Sequence, residues 1–337
     1  MPDSARHSED TLLRDVSRSF HKTLRVLPRA VRPQIGLAYL LARTTDTIAD
    51  TGIVSSEKRL QALEHLRERI MGARNTPLDL GSLAQQQGSP AERLLLERCE
   101  ESLAQLRGMT PLDQKLIQEV LAIITSGQEL DLRRFAGASA EQLVALRTDV
   151  ELDDYTYRVA GCVGEFWTKM CRAHLFPKAR LDDATLLAQS VHFGKGLQLV
   201  NILRDLPKDL RQGRCYLPSE PLAVRGLRPS ELLDAAHERE VRPFYAIYVD
   251  RAQEYLRTGW VYTNSLPRGC VRVRLACAWP ILIGLATIRL LRQRNFLDSS
   301  ERLKVSRKEV SRIIRRTVLL YPFDSAWRGL IQMTNDK

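Results

Sequence analysis

Two pairs of aspartates are the residues in this chain whose type and spacing suit chemistry. Asp46 and Asp50, in the run D-T-I-A-D, lie four positions apart, and Asp205 and Asp209, in R-D-L-P-K-D, repeat the interval. On a helix that spacing stacks the two carboxylates on one face, about 6 Å apart. Thr51-Gly52 follows the first pair and Gly213 the second, and glycine commonly ends a helix in the left-handed conformation. Each pair is therefore expected in a last helical turn, where the macrodipole already presents negative charge and something cationic must compensate.

One acidic pair at this interval is ordinarily a solvated face. Two pairs set in apolar helices and flanked by arginine point further. Arg43 precedes the first, and Arg204, Lys208, Arg211 and Arg214 surround the second. Clustered oxygen donors suit magnesium, a hard ion that keeps several waters and bridges carboxylates to phosphate oxygens. Guanidinium groups grip phosphate through paired hydrogen bonds. Diphosphate binding is the chemistry these residues share. Pro207 works against it, because proline lacks the backbone donor and disfavours helix at Leu206, so a kink there is expected to splay Asp205 from Asp209.

The elements that must carry these residues read as helices. Between Lys115 and Phe135, the residues Leu116, Val120, Ile123, Ile124, Leu130 and Phe135 recur mostly at steps of three, four and seven, the period of one buried helical stripe. Leu186, Leu187, Val191, Leu197, Val200, Ile202 and Leu203 continue the style. Two stretches rich in glycine, proline and polar residues, Gly72 to Pro90 and Gly213 to Pro229, read as loops. Neither is a domain linker, since chemically distinctive residues lie on both sides of each.

The chain has 337 residues, a length that by itself suggests about two domains. Its 51 Lys and Arg against 40 Asp and Glu give a net charge of +11, and a net of +10 is concentrated between Arg268 and Arg316. Such a stretch serves nucleic acid, an anionic membrane surface or a phosphorylated small molecule. No aromatic RNA-binding pattern or zinc-finger spacing supports nucleic acid. The six cysteines form no C-x-x-C pair and the first residues lack the apolar stretch of a signal peptide, so a reducing cytoplasm is the economical reading. The longest charge-free apolar run, Leu275 to Ile288, has 14 residues, short of the roughly 18 that a membrane span needs. The six histidines make no H-E-x-x-H spacing, and Ser17 and Ser19 have no visible base partner.

With these residues in view, the sequence resembles the squalene and phytoene synthase family, the head-to-head prenyl transferases. The resemblance rests on S-R-S-F at Ser17 to Phe20, Y-L-L-A-R-T-T-D-T-I-A-D at Tyr39 to Asp50, Y-T-Y-R-V-A-G-C-V-G at Tyr155 to Gly164, and Q-L-V-N-I-L-R-D-L-P-K-D-L-R-Q-G-R-C-Y-L-P at Gln198 to Pro218. It implies one all-α isoprenoid-synthase domain over residues 1–337, with helices around a central cavity and the aspartate motifs on opposite walls. By motif position, Asp46, Asp50, Asp205 and Asp209 hold magnesium. Ser17, Arg18, Ser19, Arg43, Gln198, Asn201 and Arg214 meet the substrate diphosphates, and Tyr39, Tyr155, Arg43 and Arg204 are catalytic.

Within the family, squalene synthases join two farnesyl diphosphates through presqualene diphosphate and finish with hydride from NADPH, whereas phytoene and dehydrosqualene synthases omit the reduction. The segment from Val271 to Ile314 looks like the squalene branch, with Pro280 bordering the second-step pocket. By the resemblance, Arg18, Arg43, Arg204, Lys304 and Arg307 contact NADPH. Ser306 stands where the family commonly has arginine, and Ala49 and Lys208 replace acids often present inside the two motifs. Phe166 and Trp167 read as core. An apolar product made by a basic protein also implies work in the cytoplasm or peripherally on the inner face of a membrane. The non-reductive synthases stay open as alternatives, and so does a basic nucleic-acid or lipid-binding module with inert aspartates.

Overall fold

Apolar residues that recur each turn can be buried together only by coiling, and the computed structural model coils nearly every such stretch. It describes residues 11–16, 21–300 and 303–334. The fold is all-α, as the periodicity predicts, and among the described residues the only sheet is a two-stranded one. Contacts divide the chain into two compact units, Met1–Ala136 with Lys169–Pro177, and Gly137–Thr168 with Lys178–Lys337.

In the first unit, α1 (Arg32–Asp50) and α2 (Ser56–Met71) both pack on α3 (Pro111–Arg134). α3 starts at Thr110, whose hydroxyl accepts from the Asp113 N–H, with Pro111 in its first turn, where a missing N–H is harmless. Of its expected stripe, Leu116, Val120, Ile124 and Phe135 are buried, while Ile123 and Leu130 are half-buried. α1 carries Thr44, Thr45 and Thr47 on buried positions, and each hydroxyl donates to a carbonyl three or four residues back. These bonds let polar side chains enter an apolar core without stranding a donor.

In the second unit, α4 (Asp149–Thr156) passes through a π-helical turn at Tyr157–Gly161 into α5 (Cys162–Leu175), which ends in the first unit. α6 (Asp183–Arg211), α7 (Glu238–Ser265) and α8 (Val271–Gln293) pack in sequence, and α9 (Arg307–Leu320) lies on α8. α8 contains the long apolar run. It is long and apolar enough to cross a bilayer, yet 78% of its most apolar window is buried inside the protein, which makes it a core helix.

Four sequence expectations meet the structure differently. Gly52 is not left-handed; Thr51 ends α1 instead, its N–H bonding Ile48 and its hydroxyl bonding Thr47 at 2.6 Å. α6 runs through Pro207 without a break. The stretch from Gly72 to Pro90 holds a short helix, Gly81–Gln85. The stretch from Gly213 to Pro229 begins with strand β2 (Arg214–Cys215), which pairs in parallel with β1 (Val144–Ala145) in register Val144 to Arg214, and holds helix Ser219–Ala223.

Gly213 does behave as a left-handed terminator, with φ of 79°. A side chain there would sit 2.3 Å from the Ser139 nitrogen, so both backbone sign and space demand glycine. We expect Gly213→Ala to lower stability by about 2 kcal/mol or more in urea unfolding, from left-handed strain plus the clash. Gly52→Ala, with open space around it, is expected to stay within about 0.5 kcal/mol of the parent.

Candidate functional site

α1 buries most of its surface and leaves one stripe partly open: Tyr39, Arg43, Asp46 and Asp50, at steps of four, three and four. The Arg43 guanidinium reaches Asp46 at 3.9 Å, but its closer partner is Glu92, at 2.5 Å. Asp46 accepts a hydrogen bond from the Gln128 amide of α3. The expected cation at the helix end is Arg59, which donates to the Ala49 carbonyl at 2.6 Å and so answers the macrodipole rather than the carboxylates.

The Asp46 carboxyl is therefore under-compensated. Enclosure by protein pushes its pKa up to about 6, the neighbouring Asp50 charge adds to the rise, and Arg43 and Gln128 oppose it. Its side chain keeps 47% exposure, so a crowded carboxylate stays open on one side. A divalent cation would relieve that electrostatic cost, which is the fit that magnesium requires here.

On α6, Gln198, Asn201, Asp205 and Asp209 recur at steps of three, four and four and share one face, all partly or fully exposed. The buried face carries Leu199, Ile202, Leu203, Leu206 and Leu210. Arg204 forks onto Asp205 with Nε at 3.0 Å and Nη2 at 2.5 Å. Arg214 follows on β2, half-buried, and Lys208 and Arg211 are exposed. Among the described residues no three His, Cys, Asp or Glu side chains converge as a closed metal cage. Magnesium ordinarily takes only one or two carboxylates, with water and phosphate completing its shell.

Tyr155, at the end of α4, is buried and stacks on Tyr216 with centroids 4.7 Å apart. The π-helical turn begins two residues later, a distortion common beside functional residues. Two features hold the turn. Gly194 of α6 brings its backbone so close that an added Cβ would lie 2.2 Å from the Ala160 oxygen. Lys195, 8% exposed, donates to both Asp153 oxygens at 2.8 Å and lies over the Tyr157 ring. Phe166 is core, as predicted, while Trp167 is half-buried.

Other expected residues fall elsewhere. Lys304 and Arg307 are both exposed, and Ser306 caps α9 by accepting the Glu309 N–H at 3.1 Å. Ser17, Arg18 and Ser19 lie outside the described residues. All six cysteines are free, and burial pushes Cys99, Cys162, Cys215 and Cys277 up to about 12, so these thiols stay protonated and unreactive.

Glu92, Gln128, Asp153 and Lys195 were not singled out by sequence. A signal existed for two of them: Gln128 interrupts the apolar stripe of α3, and Lys195 stands between two glycines in an apolar helix. Glu92 is half-buried and Asp153 exposed, and neither carries a sequence signal.

The fold is all-α and carries an aspartate pair one turn apart on each of two helices. Known proteins agree on the fold: TcSQS in complex with a ligand superposes with a TM-score of 0.79 at 22% identity, covering 97% of this chain and 89% of that one. A dehydrosqualene synthase with a bound ligand gives 0.67 at 18% identity, covering 94% and 96%. The family described as Squalene/phytoene synthase matches residues 13–309, and the chain belongs to that family. Among curated relatives, a phytoene synthase of Arthrospira platensis is 26% identical over 85% of this chain and 80% of its own length. A presqualene diphosphate synthase of Rhodopseudomonas palustris is 29% identical over 75% of this chain and 77% of its own length. The chain is thus of a prenyltransferase type that acts in isoprenoid biosynthesis.

The Asp46 carboxyl is expected to titrate near pH 6 in metal-free protein by carbon-detected NMR, above the ordinary aspartate range. Because the Asp50 charge contributes to the rise, Asp50→Asn should move that midpoint down. An unchanged midpoint would leave enclosure as the sole cause.

Proposed function

We propose that this protein is a squalene synthase working as a single domain, joining two farnesyl diphosphates to presqualene diphosphate and then converting that to squalene with NADPH. The observation that carries the reading is the pair of helix faces, Tyr39-Arg43-Asp46-Asp50 and Gln198-Asn201-Asp205-Asp209, in a chain of this family. Asp46, Asp50, Asp205 and Asp209 would hold magnesium. When bound, that ion supplies positive charge to the departing diphosphate.

In the first step the allylic C–O bond of one farnesyl diphosphate breaks and both electrons leave with the diphosphate. Arg43, Arg204 and Arg214 take up the charge that accumulates on phosphate oxygens, the kind of electrostatic help that acts most strongly away from water. Gln198 and Asn201 orient the same group by hydrogen bonding, and Tyr39 contributes a hydroxyl on the α1 face. The carbon left behind is a cation, and the stacked rings of Tyr155 and Tyr216 provide aromatic faces able to stabilise it. The assignment to the reductive branch rests on the Val271 to Ile314 segment, with Lys304 and Arg307 offered to the cofactor phosphate.

Peripheral attachment to a membrane belongs to the same proposal. The outer face of α9 presents Lys308, Arg312 and Arg315 with Leu319, which is 69% exposed, and Phe323 follows at 64%. Basic charge beside apolar side chains suits an anionic bilayer, where an apolar product is delivered.

Incubation with labelled farnesyl diphosphate is expected to give squalene only when NADPH is present. Dehydrosqualene formed regardless of NADPH, or phytoene from geranylgeranyl diphosphate, would replace the reading with a non-reductive synthase. Asp46→Asn and Asp205→Asn are each expected to lower turnover on the order of 100-fold; full activity in both would remove the metal role, whereas no turnover in the parent beside steeply salt-sensitive DNA binding would favour a binding module. In flotation assays the protein should rise with phosphatidylglycerol vesicles and lose them after Leu319→Glu.

A further inference from the structure

Pro207 lies between the two aspartates of α6 and has no hydrogen on its nitrogen. In an unbroken helix that hydrogen would bond the carbonyl four residues earlier, that of Leu203, and the proline ring also crowds that oxygen. The helix continues nonetheless. The Leu203 carbonyl accepts a bond from another element: the Tyr245 hydroxyl of α7 donates to it at 3.1 Å, away from solvent.

That hydroxyl is firmly located. Tyr245 is 1% exposed, and its ring lies on Phe296 at 3.6 Å between centroids, within 8° of parallel. The Arg242 guanidinium covers the Phe296 ring at 5.3 Å and is itself held by the carbonyls of Leu291, Arg292 and Arg294. Burial raises the Tyr245 pKa above its ordinary range against the opposing charge of Arg242, so the phenol remains a donor. The turn it completes, Leu203 to Pro207, contains Asp205 and leads directly into Asp209.

We infer that Tyr245 is a positioning residue for the Asp205–Asp209 pair, supplying from α7 the hydrogen bond that Pro207 withholds and so setting the angle at which the two carboxylates leave α6. The inference rests on the reading of these aspartates as magnesium and diphosphate ligands. It also accounts for a proline at a position where sequence alone predicts a splayed pair.

The test is a substitution cycle in the full chain: Tyr245→Phe, Pro207→Ala and the two together. Each variant is read by electron paramagnetic resonance titration of Mn2+ with inorganic diphosphate, and by urea unfolding. Tyr245→Phe keeps the ring and its stack, and is expected to weaken Mn2+–diphosphate binding about three- to tenfold, the span of one net hydrogen bond. Pro207→Ala should restore binding in the Tyr245→Phe background, because alanine returns an N–H to the Leu203 carbonyl. A Tyr245→Phe protein that unfolds at lower urea but binds like the parent reduces the hydroxyl to a stability role and overturns the inference. Failure of Pro207→Ala to rescue does the same. Asp205→Asn is the control: unchanged Mn2+ binding there overturns the metal reading and the inference with it. Lost binding there beside intact binding in Tyr245→Phe overturns the positioning role alone.

Discussion

Carboxylates one helical turn apart repel each other, and near a helix C-terminus the unpaired carbonyls add to the repulsion. Most of what is distinctive in this protein answers that constraint. α1 meets it with Arg59 on the Ala49 carbonyl and Gln128 on Asp46, and diverts Arg43 chiefly to Glu92. α6 meets it with the Arg204 fork on Asp205. The two solutions leave the carboxylates with different partners. Asp46 is left with a raised pKa, whereas Asp205 already has a bidentate cation.

Holding such pairs steady takes backbone as well as charge. At the end of α1, Thr51 folds its hydroxyl back on Thr47 and stops the helix without a left-handed residue. At the end of α6, Gly213 makes the left-handed turn and enters β2 against β1, because the Ser139 backbone leaves no room for a side chain. Between them, the π-helical turn after Tyr155 is pressed by Gly194 and clamped by Lys195 on Asp153. These are local solutions to distinct steric problems, and each one lies within two residues of one that the proposed chemistry uses.

Much of this was legible in the chain. The apolar period of Leu116 to Phe135 and of Leu186 to Leu203 announced helices, and the four-residue interval placed each aspartate pair on one face. Buried stripes were recoverable because helix geometry is set by backbone hydrogen bonds and repeats every 3.6 residues whatever its surroundings. Partners were not: Glu92 lies 49 residues from Arg43 and Gln128 lies 82 residues from Asp46, and no periodicity reports on contacts at that range. Gly52 and Pro207 misled for the same reason. Local preference assigns glycine to a left-handed cap and proline to a break, whereas a threonine ends α1 and α6 continues through Pro207 with a tyrosine of another helix bonded to the Leu203 carbonyl.

By itself, then, the sequence determined the helical class, the position of both carboxylate pairs and the family, since these depend on local spacing and on ordered motifs. Only the tertiary structure decided which side chain neutralises which carboxylate, and that α6 survives Pro207. Hydrogen-bond donors such as the Tyr245 hydroxyl reach their acceptors through space, 42 residues away along the chain, and their worth depends on burial that arises only when the helices pack.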